Sequence, residues 1–287
     1  FQGVINIMKL KVTASGEACG ATITGVDLSQ DLDTETIAAI RAAWLEHHVV
    51  AFPDQSMSDE DLERFTLCFG EFGDDPYFES IEGHTNIAAI ERRAHETAPL
   101  FAGGWHTDWS FMAVPPIATC LYGITIPPIG GDTLFANQHK AYDQMPDSLR
   151  SRVEGLTAIH SAEYAYAPRG VFDTEKEADR SMKIVLSEDA RAKQEHPFIR
   201  NHSETGRPGL FSTLGYIQGF VELEKADSDA LLQELYDYQG SEPFVFRHKW
   251  QPNMLVMWDN RSVLHMATGG YDGYDRLLHR TAIAQTH

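Results

Sequence analysis

Trp105-His106-Thr107-Asp108 is the sharpest chemical signal in the chain. In a strand, residues two apart project to the same side, so His106 and Asp108 would bring one imidazole and one carboxylate to a single point. A transition metal such as Fe(II) accepts that mixture; a second imidazole would complete a set that leaves three positions open for oxygen chemistry. The same dipeptide spacing also arises from a histidine satisfied by its neighbouring carboxylate. Of the thirteen histidines, His47, His48, His84, His95 and His287 have no evident chemical partner in the sequence. His265 stands apart because it follows Met254–Trp258, a run of strand character, and precedes a second such run, Arg276-Leu277-Leu278-His279-Arg280-Thr281-Ala282-Ile283. Arg276 and Arg280 are four apart, which strand geometry places on one face. Two guanidiniums aimed into a core are costly without anionic partners. They point either to carboxylates brought by small molecules or to an exposed edge strand.

Elements that could position these groups follow from the rest of the pattern. Residues 9–13 and 21–28 read as short strands, and Val49–Phe52 as a buried one stopped by Pro53. Asp33 or Thr34 can cap a helix over 35–47 with Ile37, Ile40, Trp44 and Leu45 on one face. Ser58 and Asp61 form a capping-box pattern before a helix over 59–69. From about residue 85, short apolar runs at 85–90, 117–126, 156–161, 209–213, 243–247 and 254–258 alternate with Gly and Pro, the pattern of an antiparallel sandwich or barrel. Helical interruptions are expected at 138–153, 186–194 and 224–238. The polar stretch 162–184, with a charged run from Asp173 to Arg180, is expected to be a lid rather than a passive surface excursion.

The chain has 287 residues, 43% of them hydrophobic, and a formal net charge of −19. That content supports a sizeable core and excludes a disordered chain. The negative balance argues against nucleic acid or an anionic membrane surface as partner, although a local arginine can still hold an anionic small molecule. No apolar run approaches the ~18 residues of a membrane span. Cys19, Cys68 and Cys120 are sparse and unpatterned, which fits reduced thiols and a cytoplasmic protein. Phe1-Gln2-Gly3 resembles the scar of a cleaved tag. Residues 1–7 are therefore read as tag remnant, Met8 as the native start, and 8–287 as one domain.

Beyond these local readings, the chain resembles the taurine dioxygenase (TauD/TfdA) family of Fe(II)- and 2-oxoglutarate-dependent dioxygenases. WHTD at 105–108, PP at 115–116, GGDT at 130–133, HPFIRNHSETGRPGLF at 196–211, WDNRSVLH at 258–265 and RLLHR at 276–280 carry the resemblance. It implies a mainly β fold with flanking helices, a double-stranded β-helix or cupin-like jelly roll. It implies Fe(II) held by His106, Asp108 and His265, and 2-oxoglutarate held at its far carboxylate by Thr133 and Arg276. A bidentate guanidinium–carboxylate pair suits that role. The implied reaction consumes O2, turns 2-oxoglutarate into succinate and CO2, and hydroxylates a substrate C–H bond. The carboxylate at Asp108 favours hydroxylation over halogenation. Desaturation, cyclisation or epimerisation use the same cofactors, and a non-catalytic cupin-like binding protein is the alternative of another class. Zn(II) hydrolysis from the same ligands would leave Arg276 unexplained.

The resemblance is weaker where the substrate would bind. Arg280 matches the family arginine that grips the substrate's acid group, which implies an anionic or zwitterionic substrate. Asp75 and Phe78 stand where the taurine enzyme has His and Tyr, and an Asp there would repel a sulfonate, so taurine is disfavoured. Trp109 replaces a small aliphatic residue, and Phe111 is expected on the same strand face. Together Asp75, Tyr77, Phe78 and Trp109 would suit an amine or quaternary ammonium group. Family members form dimers or tetramers, and nothing in the sequence selects between them.

Overall fold

The computed structural model describes residues 10–174 and 179–285. The expected tag remnant, Met8 and residues 175–178 of the expected lid lie outside the described residues.

Alternating β-branched segments build a seven-stranded sheet in the spatial order Lys11–Ala14, Ala21–Thr24, Val49–Phe52, Met254–Asp259, Ala118–Thr125, Arg276–Ile283 and Ala88–Arg92. All of its neighbours pair antiparallel except Ala21–Thr24 with Val49–Phe52. A smaller antiparallel sheet pairs Thr133–Asn137 with Val245–His248 on one side and Val263–Ala267 on the other. Inward residues of the two sheets meet in one apolar cluster: Val49, Ala51, Val256, Trp258 and Leu278 from the large sheet, Phe135 and Val263 from the small one. This facing pair of sheets is the jelly roll, and His265 lies on a strand of its small sheet.

The outer face of the large sheet is covered by two helices. Thr34–His47 starts at Asp33, whose carboxylate accepts from the Thr36 amide, and ends at His48 with φ 66°. Asp59–Leu67 carries the expected reciprocal Ser58/Asp61 cap. Ile40, Trp44, Leu62 and Phe65 bury against Val50, Phe52, Cys120 and Ile283. Each such side chain contributes roughly 1.5–3 kcal/mol by leaving water.

Several expectations are corrected. The helix expected over 138–153 is two, Gln138–Asp143 and Asp147–Val153, separated at Pro146, because proline has no N–H to continue the ladder. Residues 186–194 form only a 3-10 turn, Glu188–Arg191, and then a strand, Lys193–Pro197, which pairs with Thr157–Ser161. Residues 243–247 begin as a 3-10 turn containing Pro243, and the strand starts at Val245. The third helix is found at Lys225–Gln239. Within 162–184, Glu163–Tyr166 and Val171–Thr174 are short helices. Beyond them, Asp179 accepts from the amide and hydroxyl of Thr97, and Glu96 accepts from the amide and hydroxyl of Ser181.

Candidate metal and 2-oxoglutarate site

His106 and Asp108 do not lie on a regular strand. His106 makes an isolated antiparallel bridge with His265, each residue's amide donating to the other's carbonyl at 3.1 and 2.9 Å. After it the chain turns, and Trp109 adopts φ 51°, the left-handed region that L-residues rarely occupy. The expectation that Trp109 and Phe111 share a strand face is therefore replaced by a turn. Their rings still meet edge to face, 5.5 Å apart. His265 lies at the centre of Val263–Ala267, held opposite Phe135.

The bridge and the turn bring Nε2 of both histidines and Oδ1 of Asp108 together. Asp108 Oδ1 is 3.8 Å from His106 Nε2 and 3.6 Å from His265 Nε2. The three ligand atoms lie within 4.8 Å of one another. The atoms on the far side of two of these groups are already engaged. His106 Nδ1 is 2.9 Å from the Gly104 carbonyl, to which it donates in the tautomer that leaves Nε2 free. Asp108 Oδ2 accepts from Thr119 Oγ1 at 2.6 Å and from Arg280 Nη1 at 2.9 Å. Thr119 is itself set by Asn260 Nδ2, and Asn260 Oδ1 accepts from the Trp258 indole. Such outer contacts fix ligand orientation and tautomer. Thr119 and Asn260 were not singled out from sequence. Asn260 lies inside the WDNR motif; Thr119 carries no local signal.

Protonation suits a metal as well. Burial, with the adjacent His106 imidazole, pushes His265 down to about 3, and burial also lowers His106. For Asp108, burial alone would raise the carboxyl, but Arg280 and the two imidazoles outweigh it and hold it below the usual range. Neutral imidazoles beside an ionised carboxylate are the forms a divalent metal binds.

A cavity opens from these ligands. Thr133, Arg276, Tyr271 and Arg280 line it on the sheet side, with Phe78, Phe101, Trp109, Tyr166, Tyr216 and Met182 also in its wall. Arg276 and Arg280 are both buried, as two guanidiniums on one strand face would be. Arg276 has no carboxylate partner among the described residues. Its Nη2 only approaches the Gly131 carbonyl at 3.4 Å, and its buried Nε has no hydrogen-bond acceptor. Burial lowers its affinity for the proton. Gly131, at φ 70°, leaves space for it, since a Cβ there would come 3.3 Å from Arg276 Nε. Thr133 Oγ1 accepts from the Trp250 indole at 2.9 Å, so its own proton is free to be donated. An unpaired buried cation beside a hydroxyl donor is a fitting partner for a carboxylate.

The remaining expected site residues are arranged differently. Asp75 and Phe111 are not among the cavity-lining residues. Phe111 packs against Tyr77 and Tyr216. Asp75 sits behind Arg280, accepting from Arg280 Nε at 3.1 and 3.2 Å and from the Trp109 indole at 2.5 Å. The expectation of an Asp75 carboxylate free for an ammonium group is corrected accordingly. Of the histidines expected to lack partners, His84 lies 3.2 Å from Glu63.

Facing sheets, a two-histidine-one-carboxylate set and an unpaired arginine beside it define an Fe(II)- and 2-oxoglutarate-dependent dioxygenase. Comparison with known proteins agrees: the model of the family "Taurine catabolism dioxygenase TauD, TfdA family" matches residues 11–282. The chain belongs to this family. It is 33% identical over 268 residues to an alkylsulfatase of Acinetobacter baylyi, covering 92% of this chain and 82% of that one. It is 32% identical over 268 residues to an (S)-phenoxypropionate/alpha-ketoglutarate-dioxygenase of Sphingobium herbicidovorans, covering 92% and 91%. A solved taurine dioxygenase from Burkholderia xenovorans superposes with TM-score 0.79 at 32% identity, covering 96% of this chain and 90% of that one. The enzyme thus uses Fe(II), 2-oxoglutarate and O2. Among the described residues no helix is long and apolar enough to cross a membrane.

Proposed function

We propose that His106, Asp108 and His265 hold the Fe(II), that Thr133 and Arg276 bind the far carboxylate of 2-oxoglutarate, and that the enzyme hydroxylates a C–H bond of a small organic molecule. The carrying observation is the convergence of the three ligand atoms while the Gly104 carbonyl, Thr119 and Arg280 occupy the groups' outer atoms. The bound metal supplies oxidative decarboxylation of 2-oxoglutarate, giving succinate and CO2, coupled to oxidation of the substrate. The chain's own residues orient and shield. Thr119 and Arg280 fix which oxygen of Asp108 faces the metal. Arg276 and Thr133 set the direction from which 2-oxoglutarate reaches it. Phe78, Phe101, Trp109 and Tyr216 keep the reacting centre dry. Residues 162–174 and 179–184 of the expected lid are read as cavity cover, because Tyr166, Arg180 and Met182 from them line the cavity. A cytoplasmic location suits the free cysteines; burial raises the thiols of Cys19 and Cys120 out of the reactive range.

Anaerobic addition of Fe(II) and 2-oxoglutarate tests this reading. A weak visible metal-to-ligand absorption band is expected, and its absence from folded, metal-loaded protein would overturn the assignment.

A further inference from the structure

Arg280 is the residue that the family resemblance would give to an anionic substrate, yet its charge is already engaged. Nε faces both oxygens of Asp75 at 3.1 and 3.2 Å, and Nη1 donates to Asp108 Oδ2 at 2.9 Å. Nη2 lies 3.0 Å from Asp75 Oδ1, but it is not aligned with any acceptor and remains a buried donor without a hydrogen bond. Trp109 and Phe78 cover the guanidinium, with ring centroids at 5.3 and 5.5 Å from its carbon. Asp75 is locked in place in turn by the Trp109 indole, which the left-handed turn at that residue aims toward it.

The charges around the cavity sharpen this picture. With Fe(II) and 2-oxoglutarate in place, the metal, the dicarboxylate, Arg276, Arg280, Asp108 and Asp75 sum to zero. Farther along the cavity wall Glu91 is paired with Arg93 at 2.6 Å and Arg92 with Glu96 at 3.2 Å, while Arg180 donates to the Pro99 carbonyl. An anionic substrate entering this site would leave a net negative charge in a buried, aromatic-walled space, where uncompensated charge is expensive. Were position 75 uncharged, one positive charge would remain, and an anion would balance it.

From this we infer that Asp75 is a specificity-determining residue. It closes the anion site at Arg280, so the enzyme takes an uncharged substrate that packs an apolar body against Phe78, Phe101, Trp109 and Tyr216. This inference rests on the dioxygenase reading and deepens it. It replaces the anionic substrate that the resemblance implies.

The test uses the anaerobic Fe(II)–2-oxoglutarate form of the full chain. Formation of its absorption band is recorded first, so a missing band indicts the dioxygenase reading and not the specificity inference. Matched probes are then titrated, 2-phenoxypropionate against 2-phenoxypropionamide and hexyl sulfate against hexyl methyl sulfone. Binding is read from the shift of the band and, independently, by calorimetry. The wild-type protein is expected to favour the uncharged member of each pair by about tenfold or more. Asp75→Asn retains an acceptor for the Trp109 indole and is expected to raise the anion-to-neutral affinity ratio by at least about tenfold. Equal or tighter anion binding by the wild type overturns the inference, as does an unchanged ratio in folded Asp75→Asn. Should Asp75→Asn fail to fold, the wild-type titration decides alone. Exclusion of both anions then supports the inference, and binding of either at the affinity of its neutral partner sinks it.

Discussion

The two arginines of the last strand share a strand and a face, yet their surroundings differ. Arg276 is a buried cation with no carboxylate partner among the described residues; Thr133 and Gly131 lie beside it, and the Trp250 and Tyr271 rings are 6.0 and 5.9 Å from its guanidinium carbon. Arg280, four residues further along the strand, lies between two carboxylates and under two aromatic rings. Burial penalises both. For Arg280, Asp108 and Asp75 more than repay the penalty and raise its hold on the proton. The contrast is electrostatic: among the described residues Arg276 has no carboxylate beside it, whereas Arg280 has two.

Removing Asp108, the carboxylate proposed to hold the metal and paired with Arg280, should have the largest effect. Asp108→Ala deletes one of the three proposed ligands and also strips Arg280 of one partner. We expect Fe(II) affinity and succinate formation to fall below detection, measured by metal titration and by 2-oxoglutarate turnover. Retention of a stoichiometric Fe(II) site in folded Asp108→Ala protein would contradict the assignment.

Methionine at each arginine in turn tests the comparison directly. Arg276→Met removes an unpaired charge, so the metal-free protein should melt at the same temperature or higher. Its affinity for 2-oxoglutarate should fall by about 2–5 kcal/mol, at least roughly thirtyfold, because a buried charged contact is lost. Arg280→Met should do the reverse to stability. It leaves Asp75 and Asp108 without their cation, and the cost of breaking such a buried pair is about 3–5 kcal/mol. Denaturant titration of both metal-free variants decides the matter, and equal stability losses would show that the two sites are not electrostatically distinct.

Acid should weaken the fold without altering either arginine. Burial pushes His48 and His160 down to about 3 and His248 down to about 4. In the unfolded chain these imidazoles titrate near 6.5. Between those values the unfolded state binds the extra protons, so stability is full above about pH 6.5 and is lost progressively as pH falls toward 3. Asp108 and Asp259 are held below the usual carboxylate range and titrate only later. Denaturation midpoints followed from pH 7 to 4 should therefore decline, and replacing His248 with Gln should flatten the curve. A midpoint independent of pH across that window would show that these histidines are not buried neutral.

What could be read from the sequence divides along the same line. Strands such as Val49–Phe52, Met254–Asp259 and Arg276–Ile283 were visible because their β-branched and apolar runs carry the period of a buried strand. The residues proposed to hold the metal, and Arg276, lie in motifs of the sequence. The state of Arg280 was not visible, because the partner that closes it lies 205 residues away, in the long irregular stretch between Asp59–Leu67 and Ala88–Arg92. The turn at Trp109 was also hidden. WHTD reads as a strand, and only the indole's contact with Asp75, 34 residues distant, and the His106–His265 bridge explain why the chain leaves that geometry. Thr119 was invisible for the same reason: its part in holding Asp108 depends on a sheet register, not on a pattern of its neighbours.

The smallest effect sharpens the account of the open end. Thr133 has two partners to serve with one hydroxyl: it accepts from Trp250 and keeps its proton for a ligand. Thr133→Ser preserves both functions and should leave 2-oxoglutarate affinity within about twofold of the wild type. Thr133→Val is nearly the same shape but loses both. It should weaken 2-oxoglutarate by about 1.5–3 kcal/mol, as for a hydrogen bond to a charged group, and should cost a further 1–3 kcal/mol or so of stability through the orphaned Trp250 indole. Measuring affinity and melting together separates the two losses. If Thr133→Val lowers stability but leaves 2-oxoglutarate binding intact, the hydroxyl serves only Trp250, and Arg276 alone carries the open end of the cavity.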